Sequence, residues 1–279
     1  MNRTRFAATL AALAAMLTPM APAAAREPIT EQFSRHVAGA TATVDHSDWH
    51  KLVSTYVKPS PDGVNRVDYA TFKTVSHAAL KAYIGKLQAV APETLDRPEQ
   101  FAFWANLYNA KTIDAVLDKY PVKSIKDVSL GGGLKSLVSG GPWQAKIMKV
   151  GGVELSLDDI ENQIMRPTFK DPRVHYSVNC ASFGCPNLPN RAFTGATLEV
   201  MLEEGAKAYV NNPRGISIEA GKAKASSIYS WFQADFGGSD KAVLDHMRKY
   251  ASPELKAKLD SVTTIASYDY DWSLNGVKK

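Results

Sequence analysis

Residues 97–120 restrict the possible folds more than any other part of the chain. Entered through Pro98 and closed before Pro121, they read as an unbroken helix of roughly six to seven turns. At roughly 100° per residue, Lys111, Asp114 and Asp118 share one narrow polar arc, while Phe101, Trp104, Ala105, Tyr108, Ile113, Val116 and Leu117 fill most of the rest. A helix with so little polar surface has to be surrounded by other elements. Asn106 and Asn109 fall inside the apolar arc. A buried amide without partners costs about 1–3 kcal/mol, so both must be bonded to something fixed.

The flanking segments supply the wrapping. Helices are expected over 47–56, 77–90, 156–165, 197–210, 228–236, 240–250 and 253–259, each with a cap, a proline stop or apolar residues at helical spacing. Residues 143–155 read as a hairpin around Gly151-Gly152, and 64–72 as a weak strand. Strands are also expected at 216–219, 222–226 and 262–267. The glycine-rich passage 131–142 lacks the Gly-Lys-Ser/Thr of a phosphate loop and the strand-to-helix setting of a dinucleotide fingerprint, and reads as flexible connection. No repeat or long linker divides the chain. The expectation is one α+β domain over 43–279, a central buried helix packed on a small, mostly antiparallel sheet, preceded by a polar arm at 26–42.

The first 25 residues read as an export signal. Arg3 and Arg5 precede an apolar run from Phe6 to Leu17, and Ala23-Ala24-Ala25 fits a signal-peptidase site. Cleavage after Ala25 is expected, giving a periplasmic or secreted protein with no integral membrane segment. The basic count then falls from 33 to 31 against 28 acids. With no basic stripe and no interleaved aromatics, nucleic acid is not expected as a partner.

Candidate chemistry concentrates at 171–188, DPRVHYSVNCASFGCPNL, where one of six histidines and both cysteines fall within eleven residues. Val174 to Val178 reads as a short strand carrying His175, with Cys180 and Cys185 in the loop at its exit. Residues five apart on a regular strand face opposite sides, which sets His175 against Cys180 unless the strand ends early. The thiols have three readings: a local disulfide, which export permits and which would contribute about 2 kcal/mol; a catalytic thiol with His175 as base; and a plain buried pair. Neither a C-x-x-C redox motif nor a standard zinc spacing is present, so no metal and no cofactor is assigned. Asn109 or Glu161 is the candidate orienting group, and Asn106, Tyr108 and Arg166 are candidate binding residues.

Five blocks together carry a resemblance: FWANLYNA (103–110), LSLDDIENQIMR (155–166), the cysteine block (171–188), SIYSWFQADFG (227–237) and YDYDWSLN (268–275). In this order the chain resembles domain-of-unknown-function family 547 over about 101–275. The resemblance implies membership and no particular reaction. It also implies a shared two-cysteine block, relatives fused to glutaredoxin-like domains, and members in reducing compartments, for which an obligatory disulfide is not the general purpose of the pair. The order of buried helix and then histidine is similar to papain-like and transglutaminase-like folds. Those place their nucleophilic cysteine at the helix start, where this chain has none.

The leading expectation is a cysteine-dependent hydrolase or acyl transferase acting on an amide or thiol-containing small molecule or peptide. The alternatives are a non-catalytic binding domain with a structural disulfide and a thiol-disulfide partner protein.

Overall fold

The structure, a computed structural model, describes residues 27–130 and 141–277. The expected export signal and most of the glycine-rich passage lie outside the described residues. Ten α-helices are named here: α1 (Ile29–Ser34), α2 (Ser47–Tyr56), α3 (Tyr69–Gln88), α4 (Arg97–Lys119), α5 (Arg166–Phe169), α6 (Val174–Ser177), α7 (Leu198–Val210), α8 (Ile228–Trp231), α9 (Asp240–Tyr250) and α10 (Pro253–Leu259). The strands make three small sheets: β1 (Val57–Lys58) with β2 (Arg66–Val67), β3 (Met148–Val150) with β4 (Val153–Leu155), and β5 (Ile216–Glu219), β6 (Lys222–Ser226) and β7 (Ile265–Asp269) in that order. All pairings are antiparallel except β6 with β7. The class is α+β. No helix among the described residues is long and apolar enough to cross a membrane.

The long helix is where its pattern puts it. Asp96 caps α4 by accepting from Glu99 N, and every residue from Glu99 to Leu117 is buried. Its neighbours are chiefly helices: α3, α7, and the π-helix Asp159–Met165, rather than a sheet. Lys111 and Asp114 of the polar arc therefore meet protein instead of water, while Asp118 in the last turn stays exposed. Asp114 takes up Lys111 at 2.7 Å and both Lys81 and His77 of α3 at 2.8 Å. Burial would raise its carboxyl, but Lys111 and the other donors outweigh that and hold it below the ordinary range.

Both amides have their partners. Asn106 clasps the backbone of Phe193, donating to its carbonyl at 2.8 Å and accepting from its N–H at 3.0 Å. Asn109 donates to Ser177 O and accepts from Asn179 N, each at 2.8 Å. Through these two side chains α4 fixes the segments on either side of the cysteine loop.

Three expectations shift. α3 begins at Tyr69, eight residues before the expected start, because Asp68 caps Thr71 N and Tyr69 and Phe72 join the buried face. The expected helix end before Pro167 does not occur. The chain passes through the π-helix into α5, where Pro167 sits in the first turn. Proline lacks the N–H that the carbonyl four residues back would take. That carbonyl, of Gln163, instead accepts Thr30 Oγ1 at 2.6 Å, which also ties down the N-terminal arm. Third, the expected strand carrying His175 is the single helical turn α6. All four of its residues are buried, so no alternation existed to tell strand from helix.

The core has two clusters. One surrounds α4; the other joins α7, the β5-β6-β7 sheet, α8 and α9. The turn α6 lies on their seam, Val174 facing the first and Tyr176 the second. Replacing Asn106 with Leu strands both polar groups of Phe193 inside the core and should cost roughly 2–4 kcal/mol in denaturant unfolding. A loss below about 0.5 kcal/mol would show that the clasp does not hold that segment.

Candidate functional site

The cysteine loop is built from backbone locks. Asn179 Oδ1 accepts from Ala181 N and its Nδ2 donates to Pro186 O, closing the loop on itself. Ala181 is buried at φ 62°, a left-handed backbone that a non-glycine residue adopts only when its surroundings enforce it. The C-terminal segment supplies that enforcement. Phe183 N donates to Ser273 O, Gly184 N to Asp271 O and Asn275 N to Ala181 O. Gly184 is required there, since a Cβ would come within 2.9 Å of Asp271 N.

This geometry brings the two free thiols together. Cys180 Sγ and Cys185 Sγ lie 2.6 Å apart, and Cys180 N donates to Cys185 Sγ at 2.9 Å. Ser182 Oγ at 2.8 Å and Tyr270 OH at 3.0 Å also reach Cys180 Sγ. Burial raises the Cys180 thiol, but the bonds from Cys185, Ser182 and Tyr270 outweigh it and bring the group down to about 7. Burial and the neighbouring sulfur push Cys185 the other way. Cys185 is buried and Cys180 partly exposed, and both line a cleft of about 190 Å³.

His175 lines the same cleft but turns its nitrogens elsewhere. Nε2 bonds Asp235 Oδ2 at 2.7 Å, Nδ1 lies 3.7 Å from Glu161 Oε1, and the ring stacks on Phe232 at 4.2 Å. Among the described residues it makes no hydrogen bond to either sulfur. Arg166 grips Asp235 through Nε and Nη2 and lies over the Phe232 ring. Tyr108 OH donates to Glu161 Oε2 at 3.1 Å. Burial would lower the imidazole, yet Asp235 and Glu161 outweigh it and hold His175 above its ordinary value. Asp235 is held well below the carboxylate range despite its burial, by His175 and Arg166.

The residues singled out in the sequence thus separate into two groups: the Cys180/Cys185 pair, and Glu161, His175 and Arg166, which Asp235 joins into an ionic relay with Tyr108 bonded to it; Glu161, His175 and Tyr108 line the cleft of the cysteines, while Arg166 and Asp235 line the neighbouring one. Asn109 joins neither, because its bonds go to the backbone leading into the loop. Asn106 is further off, on Phe193. Asp235, Ser182, Tyr270 and the indoles Trp143, Trp231 and Trp272 line or complete the site and were not singled out. Asp235 and Tyr270 lie in the fourth and fifth resembling blocks, the signal that would have found them.

Residues 92–210 match the family described as Protein of unknown function, DUF547. The chain carries a DUF547 domain. The match covers the helix with both asparagines, the π-helix, His175 and the two cysteines, while Asp235 and Tyr270 lie beyond it. No curated protein and no solved structure is matched.

His175 titrates from a raised value, so its ion pairs contribute stability in full below about pH 6.5 and lose it as pH rises through the folded value. The stability difference between the protein and its His175→Gln variant should therefore shrink on going from pH 6 to alkaline pH. A difference independent of pH in denaturant titrations would show that the imidazole is not charged in this setting.

Proposed function

We propose that the cleft is a thiol–disulfide exchange site, with Cys180 attacking and Cys185 resolving. The observation that carries this reading is the asymmetry of the pair. Cys180 is the more exposed of the two, with three polar partners on its sulfur, and Cys185 is its buried neighbour at 2.6 Å. The Cys180 thiolate attacks one sulfur of a substrate disulfide, forming a mixed disulfide and expelling the other half as a thiolate. Loss of the Cys180 charge removes the repulsion that keeps Cys185 protonated. Cys185 then gives its proton to the departing thiolate and attacks Cys180 Sγ, releasing the second half. The substrate gains two electrons and the pair closes to a disulfide, which a dithiol reductant reopens.

Hydrolysis or acyl transfer by the same nucleophile is the second reading, favoured by His175 lining the same cleft. Against it, both imidazole nitrogens face carboxylates rather than a sulfur, and Asp235 and Glu161 raise its titration, which favours an acid over the base that acylation needs. A non-catalytic domain closed by a structural disulfide has less support, since it leaves the donors on Cys180 without a purpose. The leader-like first 25 residues support an exported protein.

Alkylation of Cys180 by iodoacetamide should follow an apparent pKa near 7. Tyr270→Phe and Ser182→Ala together should move it toward the ordinary value of about 8.5, and His175→Ala should leave it unchanged. An ordinary pKa in the unaltered protein would sink the exchange reading; a rate that collapses with His175→Ala would favour the hydrolase.

A further inference from the structure

The cleft beside Cys180 has walls and a charge that disulfide exchange alone does not require. Its mouth is indole. Trp231 and Trp272 stack with centroids 5.5 Å apart, Trp143 meets Trp272 edge-on at 5.6 Å, and Tyr270 lies 4.9 Å from Trp231. Trp231 is 50 % exposed, although an indole is among the costliest side chains to leave in water. The faces of these rings attract cations, and one already does so: Lys126 Nζ sits 4.2 Å from the Trp272 ring centroid.

The charges point the same way. Arg166 and His175 are cancelled by Asp235 and Glu161. Asp158 also lines the cleft; among the described residues its side chain accepts only from the amide of Asn162 and forms no ion pair. Its backbone N–H donates to Trp143 O, so this carboxylate and an indole of the mouth are held together. No lysine or arginine is among the described residues lining the cleft.

We infer that the cleft selects an organic cation: an ammonium-bearing disulfide or thiol, its cation held among Trp143, Trp231 and Trp272 with Asp158 as counter-charge, its sulfur directed at Cys180. The sulfur half of this inference rests on the exchange reading; the cation half does not. A volume of about 190 Å³ suits a short aminoalkyl group rather than a folded partner. Disulfides bearing carboxylates would meet Asp158 and the Cys180 sulfur with like charge.

The test compares three small disulfides on the full-length protein at low ionic strength: cystamine, which is cationic, bis(2-hydroxyethyl) disulfide, which is neutral, and dithiodiglycolate, which is anionic. Each rate of reaction at Cys180 is divided by that of a free model thiol. The normalised rate should be about tenfold higher for cystamine than for the neutral reagent, and lower still for the anion. Asp158→Asn and Trp231→Ala should each shrink the cystamine preference. Equal normalised rates for all three would overturn the cation subsite while leaving the exchange reading intact. If Cys180 reacts with none of them, the exchange reading fails. Quenching of tryptophan fluorescence by tetramethylammonium then decides the subsite alone: saturable quenching that Asp158→Asn weakens supports it, and no saturable quenching overturns it.

Discussion

The site depends on one buried amide. Asn109 sits in the middle of a helix buried from Glu99 to Leu117, and its two hydrogen bonds hold Ser177 O and Asn179 N. Those groups lie within three residues of Cys180, so the buried central helix fixes where the loop begins. The C-terminal segment fixes the other side through Asp271, Ser273 and Asn275. Held from both directions, the loop keeps Ala181 in a left-handed conformation and turns Cys185 back onto Cys180. A thiol pair in a freely moving loop would have no reason to be asymmetric. Here the asymmetry follows from the scaffold, which buries Cys185 and sets Ser182 Oγ against Cys180 Sγ.

The relay of Glu161, His175, Asp235 and Arg166 reaches the cleft through its first two members without sharing the sulfur chemistry. Its members come from the π-helix, α5, α6 and the turn after α8, so it ties together elements of both core clusters at their seam. The π-helix bears directly on this arrangement. Its wide turn carries Glu161 toward the imidazole and runs into Pro167, and Arg166 N bonds back to Glu161 O across that turn. Wide turns of this kind recur beside functional sites because they re-aim one side chain without ending the helix.

Much of this was legible in the sequence. The apolar arc of residues 97–120 required a buried helix, and the cost of a bare amide required partners for Asn106 and Asn109. Gly151-Gly152 marked its hairpin, with both residues at positive φ. Ser156 and Asp159 cap one another as their spacing suggests. What the sequence did not reveal had a common physical origin. The turn bearing His175 is buried on every side, so its residues show no period. Asp235 and Tyr270 reach partners 60 and 90 residues away, and nothing local marks either one as more than an exposed acid or an aromatic. The position of His175 beside carboxylates rather than sulfur is likewise a property of the tertiary packing.

The central claim is that Cys180 attacks and Cys185 resolves, and trapping tests it most directly. Intact-mass measurement after exposing the full-length protein and its Cys185→Ser and Cys180→Ser variants to bis(2-hydroxyethyl) disulfide should show three outcomes. The unaltered protein should lose two hydrogens as its internal disulfide closes, Cys185→Ser should accumulate a stable mixed disulfide on Cys180, and Cys180→Ser should stay unmodified. A mixed disulfide that persists in the unaltered protein, or one that forms on Cys185 when Cys180 is removed, would contradict the account.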